Sequence, residues 1–189
     1  GFTSPNPMVG AVIVKNGRII GQGWHEKYGE AHAERKALET CTENPKGATM
    51  YVTLEPCCHY GKQPPCVNAI IESGIERVVT GSSDPNPLVS GKGIQILREH
   101  GIAVTEHILQ EDCNQLNEVF FHYIHTKRPF VVMKYAMTMD GKIAVHTGLS
   151  KWVTGETARS HVAQARSKYT AIMAVSYTHL RAHETGAYL

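Results

Sequence analysis

Long apolar runs are missing from this chain. None approaches the roughly 18 residues that would suggest a membrane span, so no membrane partner is expected. Charge of one sign is missing too: 19 Lys and Arg against 17 Asp and Glu leave a formal net charge of +2. So small an imbalance makes no field that would draw nucleic acid. Cysteine is scarce, with five unevenly spaced in 189 residues. That excludes the disulfide framework of a small secreted domain and makes a reducing cytoplasm the expected location. There is no internal repeat and no low-complexity stretch, which excludes solenoids and tails. An initiating methionine is also absent, the chain opening Gly1-Phe2-Thr3-Ser4-Pro5. Both ends are therefore expected to be incomplete, and an upstream targeting segment stays open. What is present, 42% hydrophobic residues over this length, is enough for one domain or one and a fraction.

The order of elements follows from pattern. Val9–Val14 is apolar and β-branched, Asn16-Gly17 supplies a tight turn, and Ile19–Trp24 returns, which predicts a hairpin. Ala31–Cys41 is predicted helical, with Ala33, Ala37, Leu38 and Cys41 on its apolar face. Met50–Leu54 is a short buried-type strand running into Glu55-Pro56. Cys66–Ser73 reads as a helix, Arg77–Gly81 as a strand, Gly93–His100 as a helix, Ile102–Thr105 as a strand and Leu109–Tyr123 as one amphipathic helix. Alternating strands and helices after the hairpin predict an α/β layered domain. Ligands in such sheets bind beyond the carboxyl ends of strands, where Glu55-Pro56-Cys57 and Ser82–Asn86 fall. Thr126–Pro129 reads as a linker. Beyond it a strand is expected over Phe130–Ala136, a turn at Asp140-Gly141, a helix over Gly155–Lys168 and a strand over Ala171–Val175. The stretch 130–175 is short for an independent domain.

Chemistry concentrates in His32-Ala33-Glu34, Pro56-Cys57 and Cys66. One nitrogen donor, two thiolates and a spare carboxylate describe a catalytic zinc site, which keeps one position open, whereas structural sites are closed by four protein ligands. H-x-E followed by P-C-x-x-C is the signature of zinc-dependent base deaminases. Here eight residues, Cys58 to Pro65, separate the cysteines where that signature has two. On a regular helix His32 and Glu34 would point about 200° apart. They can serve one site only off the helix N-terminus, where the dipole also favours an anion. His32, Cys57 and Cys66 are the expected ligands, and Glu34 the proton shuttle from water to ring nitrogen to leaving ammonia. The alternative is a structural zinc closed by Cys58 or His59. Successive side chains of an extended segment diverge, which disfavours Cys57 and Cys58 on one ion. The insert also places His59 and Lys62, both phosphate-compatible donors, beside the metal.

These residues belong to a longer ordered set. Ser4-Pro5-Asn6-Pro7-Met8-Val9-Gly10, His32-Ala33-Glu34, the run from Thr53 to Cys66, Asp84-Pro85-Asn86-Pro87-Leu88-Val89 and Gly91-Lys92-Gly93 resemble the bifunctional riboflavin-biosynthesis deaminase/reductase family. In that family the eight-residue spacer is normal. The resemblance implies a cytidine-deaminase-like three-layer α/β domain, followed by the truncated start of a dihydrofolate-reductase-like α/β domain. The implied zinc-dependent reaction deaminates a diaminohydroxypyrimidine that carries a ribosylamino 5-phosphate. Carried over position by position, Asn6, His25, His59, Lys62, Asp84 and Asn86 are implied substrate contacts. The plainer reading of Asn6 and Asp84 is turn chemistry before proline, and of His25 an ordinary hairpin-end histidine.

Lys134–Ala144 and Ser150–Thr154 carry the resemblance to the reductase part. There NADPH would open the phosphoribosyl sugar to a ribityl chain, with Ala136 and Trp152 as cofactor contacts and Ser150 and Arg166 as substrate contacts. For Trp152 a packing anchor is the alternative. The expected organisation is a deaminase domain at 1–125 lacking its first helix, a linker at 126–129, an N-terminal part of the reductase at 130–175, and a non-native tail at 176–189. The expected partners are the small phosphorylated pyrimidine and further copies of the chain as a homo-oligomer, with no nucleic acid. Another base deaminase of the cytidine-deaminase superfamily, or a structural zinc module, are the competing readings.

Overall fold

The computed structural model describes residues 3–87 and 89–173. The chain divides between Val131 and Val132 into two compact units. In the first, β1 (Gly10–Lys15) and β2 (Arg18–Trp24) form the expected hairpin. Asn16 and Gly17 both take positive φ, 51° and 74°, as a turn that matches strand twist requires. The elements α1 (Ala33–Glu39), β3 (Thr49–Leu54), α2 (Cys66–Glu72), β4 (Arg77–Ser82), α3 (Lys92–Glu99) and β5 (Ala103–Thr105) follow. The sheet order is β2-β1-β3-β4-β5. β1 is antiparallel to both its neighbours, while β3, β4 and β5 run parallel. The core gathers Ala11 and Ile13 of β1, Met50 and Val52 of β3 and Val78 of β4 against Ala33 and Ala37 of α1, Val67 and Ile70 of α2 and Leu97 of α3.

Two glycines set how closely α1 lies on the hairpin. A bulge at Ile20 of β2, opposite the step from Ile13 to Val14 of β1, turns both Ile20 and Gly21 inward. A Cβ at Gly23 would stand 2.5 Å from the Ala37 nitrogen and 2.7 Å from the Ala33 carbonyl oxygen, both backbone atoms of α1. Backbone cannot step aside as a flexible side chain can. Gly23→Ala is therefore expected to push α1 off the sheet and lower the melting temperature by roughly 5–10 °C. An unchanged thermal melt would show that α1 does not lie this close.

In the first unit the structure departs from the expected elements at three places. The helix expected to start at Ala31 starts at Ala33, because His32 is still extended (φ −72°, ψ 162°) as its N-cap. The single helix expected over Leu109–Tyr123 is two, α4 (Gln110–Leu116) and α5 (Glu118–Thr126). The break is Asn117, 3% exposed, whose side chain pairs with the backbone of Met8: its Oδ1 accepts from the Met8 N–H at 2.7 Å and its Nδ2 donates to the Met8 carbonyl at 2.8 Å. α5 also runs through Thr126, into the expected linker.

Phe130–Ala136, which spans the boundary between the units, is not a strand, and Ala171–Met173 in the second unit has no regular structure. A strand needs a ladder partner for its backbone groups, and neither segment has one among the described residues. The rest of the expected strand and the expected tail, 174–189, lie outside the described residues. The Asp140-Gly141 turn forms, with Gly141 N–H on the Thr138 carbonyl at 3.0 Å, and α6 spans Glu156–Arg166. No helix among the described residues is long and apolar enough to cross a membrane.

Candidate metal centre and active site

The carboxyl ends of β3 and β4 and the N-termini of α1 and α2 bring the chemistry together. Cys57 follows β3, Cys66 opens α2, and His32 caps α1. His32 Nδ1 lies 3.4 Å from Cys57 Sγ and 3.4 Å from Cys66 Sγ, and the three donor atoms all lie within 4.8 Å of one another. Zinc bonds of about 2.3 Å to sulfur and about 2.05 Å to nitrogen at tetrahedral angles place such donors about 3.6 Å apart. The donor set and its spacing thus fit zinc. Cys58 is not part of the group. Cys58→Ser is accordingly expected to leave one zinc per chain by metal analysis, and loss of the metal would overturn this ligand set.

The protonation pattern follows from crowding three donors into a half-buried corner. Cys57 is held down to about 4, first by the hydrogen bond from Cys66 and then by His32, while Cys66 is pushed up, first by its hydrogen bond to Cys57. The two sulfurs share one negative charge. His32 is raised, first by its bond to Cys57. Glu34, in the first turn of α1 and 3% exposed, is pushed up to about 7, first by burial and then by the charge of Cys57. The extended His32 resolves the 200° difficulty: histidine precedes the helix and glutamate enters it, so both face one corner.

All six expected substrate contacts, Asn6, His25, His59, Lys62, Asp84 and Asn86, line a cavity of about 300 Å³ that also exposes His32, Glu34 and Cys57. His25 is a positioned ring: its Nε2 accepts from Asn6 Nδ2 at 3.2 Å and its Nδ1 donates to the Ala31 carbonyl at 3.2 Å. Its ring meets that of His32 edge-on at 5.4 Å. Lys62 Nζ stands 4.1 Å above the Tyr28 ring, and His59 Nδ1 is buried with no hydrogen-bond partner among the described residues. Buried polar atoms without partners are rare, so this nitrogen is available to a ligand. Asp84 is pushed up to about 6, first by burial, and its Oδ1 accepts the Asn86 N–H at 2.8 Å.

Sequence reasoning missed Tyr28, Glu30, Gln63, Phe120 and Glu55, which line the same cavity. Gln63 ties its loop to the one between β2 and α1 by donating to the Gly29 carbonyl at 2.9 Å. Phe120 could not be placed without the break at Asn117.

In the second unit Trp152 and Arg166 line a cavity of about 300 Å³ together with Lys134, Thr154 and Arg159. Ala136 and Ser150 are not among its lining residues. The Trp152 ring carries the Arg159 guanidinium at 4.2 Å and is 67% exposed, which argues against a buried packing anchor. No residue of 132–173 is buried.

Residues 1–82 match the family described as the cytidine and deoxycytidylate deaminase zinc-binding region, and residues 129–185 match the RibD C-terminal domain. The riboflavin biosynthesis protein RibD of Actinobacillus pleuropneumoniae is 61% identical over 173 residues, covering 92% of this chain and 46% of that protein. RibD of Aquifex aeolicus is 53% identical over 173 residues, covering 92% and 49%. Among solved structures, a diaminohydroxyphosphoribosylaminopyrimidine deaminase/5-amino-6-(5-phosphoribosylamino)uracil reductase from Thermotoga maritima aligns with a TM-score of 0.82 at 53% identity. It covers 88% of this chain and 48% of that one. Acinetobacter baumannii RibD aligns with a TM-score of 0.78 at 48% identity, covering 85% and 45%. The chain spans about half the length of the curated relatives it matches.

Proposed function

Since the chain belongs to the RibD family of riboflavin-biosynthesis deaminase/reductases, we propose that residues 1–125 form a hydrolytic deaminase acting on a diaminohydroxyphosphoribosylaminopyrimidine. Its product is 5-amino-6-(5-phosphoribosylamino)uracil. The observation that carries this reading is the His32, Cys57 and Cys66 donor group beside a buried Glu34, with His32, Cys57 and Glu34 lining the same cavity as His59 and Lys62. Zinc held by those three donors would make hydroxide available near neutral pH.

The protein's own groups supply the rest. Glu34 takes a proton from the attacking water and passes it to the ring nitrogen. It then carries a second proton to the amine, which leaves as ammonia as the carbonyl forms. Lys62, held over Tyr28, and His59 offer cationic and hydrogen-bonding partners to the 5-phosphate. Asn6, His25, Asp84 and Asn86 orient the ring and sugar.

Residues 130–175 are read as the N-terminal part of an NADPH-dependent reductase, with Ala136 and Trp152 toward the cofactor and Ser150 and Arg166 toward the sugar. Self-association into a homo-oligomer belongs to the same reading. The decisive experiment measures ammonia released from the diaminopyrimidine phosphate by the purified chain. Release is expected, with competition by ribose 5-phosphate and none by transfer RNA. No release from this substrate, or inhibition by transfer RNA alone, would overturn the assignment.

A further inference from the structure

Glu55 follows β3 directly and is 3% exposed, yet the reaction above gives it no task. Its carboxylate sits among backbone donors. Oε2 accepts the Gly91 N–H at 2.9 Å and the Asp84 N–H at 3.4 Å, and Oε1 accepts the Gly93 N–H at 3.1 Å. A carboxylate withdrawn from water needs such partners. α3 needs the carboxylate in turn, because its N-cap is Gly91, at φ 77°, with no side chain to offer. Glu55 supplies from the neighbouring strand the acceptor that a capping Asn or Ser provides elsewhere. The second glycine of Gly91-Lys92-Gly93 belongs to the same contact. A Cβ at Gly93 would run into the Pro56 carbonyl oxygen and stand 3.3 Å from Glu55 Oε1.

One carboxylate therefore ties both ends of the segment that leaves β4 and enters α3, from a position two residues before Cys57. Asp84 at the first tie and Asn86 between the ties both line the cavity. We infer that Glu55 is a positioning residue for substrate: it fixes the distance from the Cys57 side of the metal centre at which Asp84 and Asn86 meet the bound pyrimidine phosphate. Glu55 lines the same cavity, but its carboxylate oxygens are taken up by backbone N–H groups, so it acts through the segment it holds, and its role rests on the deaminase reading given above.

The test compares the full chain with Glu55→Gln, which keeps the side chain's size but turns an NH₂ group toward backbone N–H donors. Hydrogen exchange over 83–93 is expected to quicken while β1, β3 and α1 keep their protection. KM for the diaminopyrimidine phosphate should rise at least roughly tenfold, with kcat within about threefold and one zinc still bound. Asp84→Ala should raise KM comparably. The double variant should do little more than the larger single one, because both changes act through one contact. A wild-type chain that releases no ammonia overturns the deaminase reading and this role with it. An active wild type whose KM is unchanged in Glu55→Gln overturns the Glu55 role alone. So does a fall in kcat and zinc content at constant KM, which would mark Glu55 as mere support for Cys57.

Discussion

Glu34→Gln is expected to cut ammonia release by roughly 10³–10⁴-fold while zinc stays at one per chain. Glutamine has nearly the same volume, so the first turn of α1 and the buried site around it should hold. What it loses is the ability to take and give a proton. One carboxyl must act as base toward water and as acid toward the departing amine. A group near the working pH does both best, and burial has pushed Glu34 up to about 7. Because Glu34 is not one of the three clustered donors, its replacement should separate chemistry from metal binding. Undiminished ammonia release would remove Glu34 from the mechanism, and loss of zinc together with activity would make it a ligand instead.

How much of this was legible beforehand depends on whether a residue's task is local. The hairpin was legible because Asn16-Gly17 dictates its own backbone angles. The site's location was legible because two strand ends carried the unusual residues, Cys57 after β3 and Asp84 after β4. The break at Asn117 was not. The apolar pattern runs through it, and only the distant Met8 backbone, 109 positions away in sequence, makes Asn117 worth more as a bridge than as a helical residue. Glu55 was hidden for the same reason. Its three donors come from 29 to 38 residues downstream, and the one available signal was the Gly91-Lys92-Gly93 pair, which called for an acceptor from elsewhere. The strand expected over Phe130–Ala136 failed in the opposite direction. Its residues suit a strand, but a strand is a property of two segments, and a pattern of one cannot reveal whether another lies beside it.

Cys57→Ala and Cys66→Ala are each expected to bind no zinc at micromolar metal and to release no measurable ammonia. A chelator should bring the wild type to the same state, and returned zinc should rescue the wild type alone. The reason lies in the charge arrangement. Without metal, Cys57 holds one negative charge and Cys66 keeps its proton, because two adjacent thiolates repel each other in a half-buried corner. A divalent cation removes that conflict and lets both sulfurs ionise, so metal binding should release protons and stabilise the fold together. At a free zinc concentration a thousandfold above the dissociation constant, linkage alone is worth about 4 kcal/mol. The metal-free wild type should therefore melt well below the loaded one. Removing one sulfur relieves the repulsion but forfeits that linkage, so neither alanine variant should gain stability when zinc is added. A zinc-dependent rise in the melting temperature of Cys66→Ala would mean that another donor completes the site, and Cys58 would be the first to test. Full activity in the chelated wild type would mean that the donor cluster serves the fold and the chemistry needs no metal.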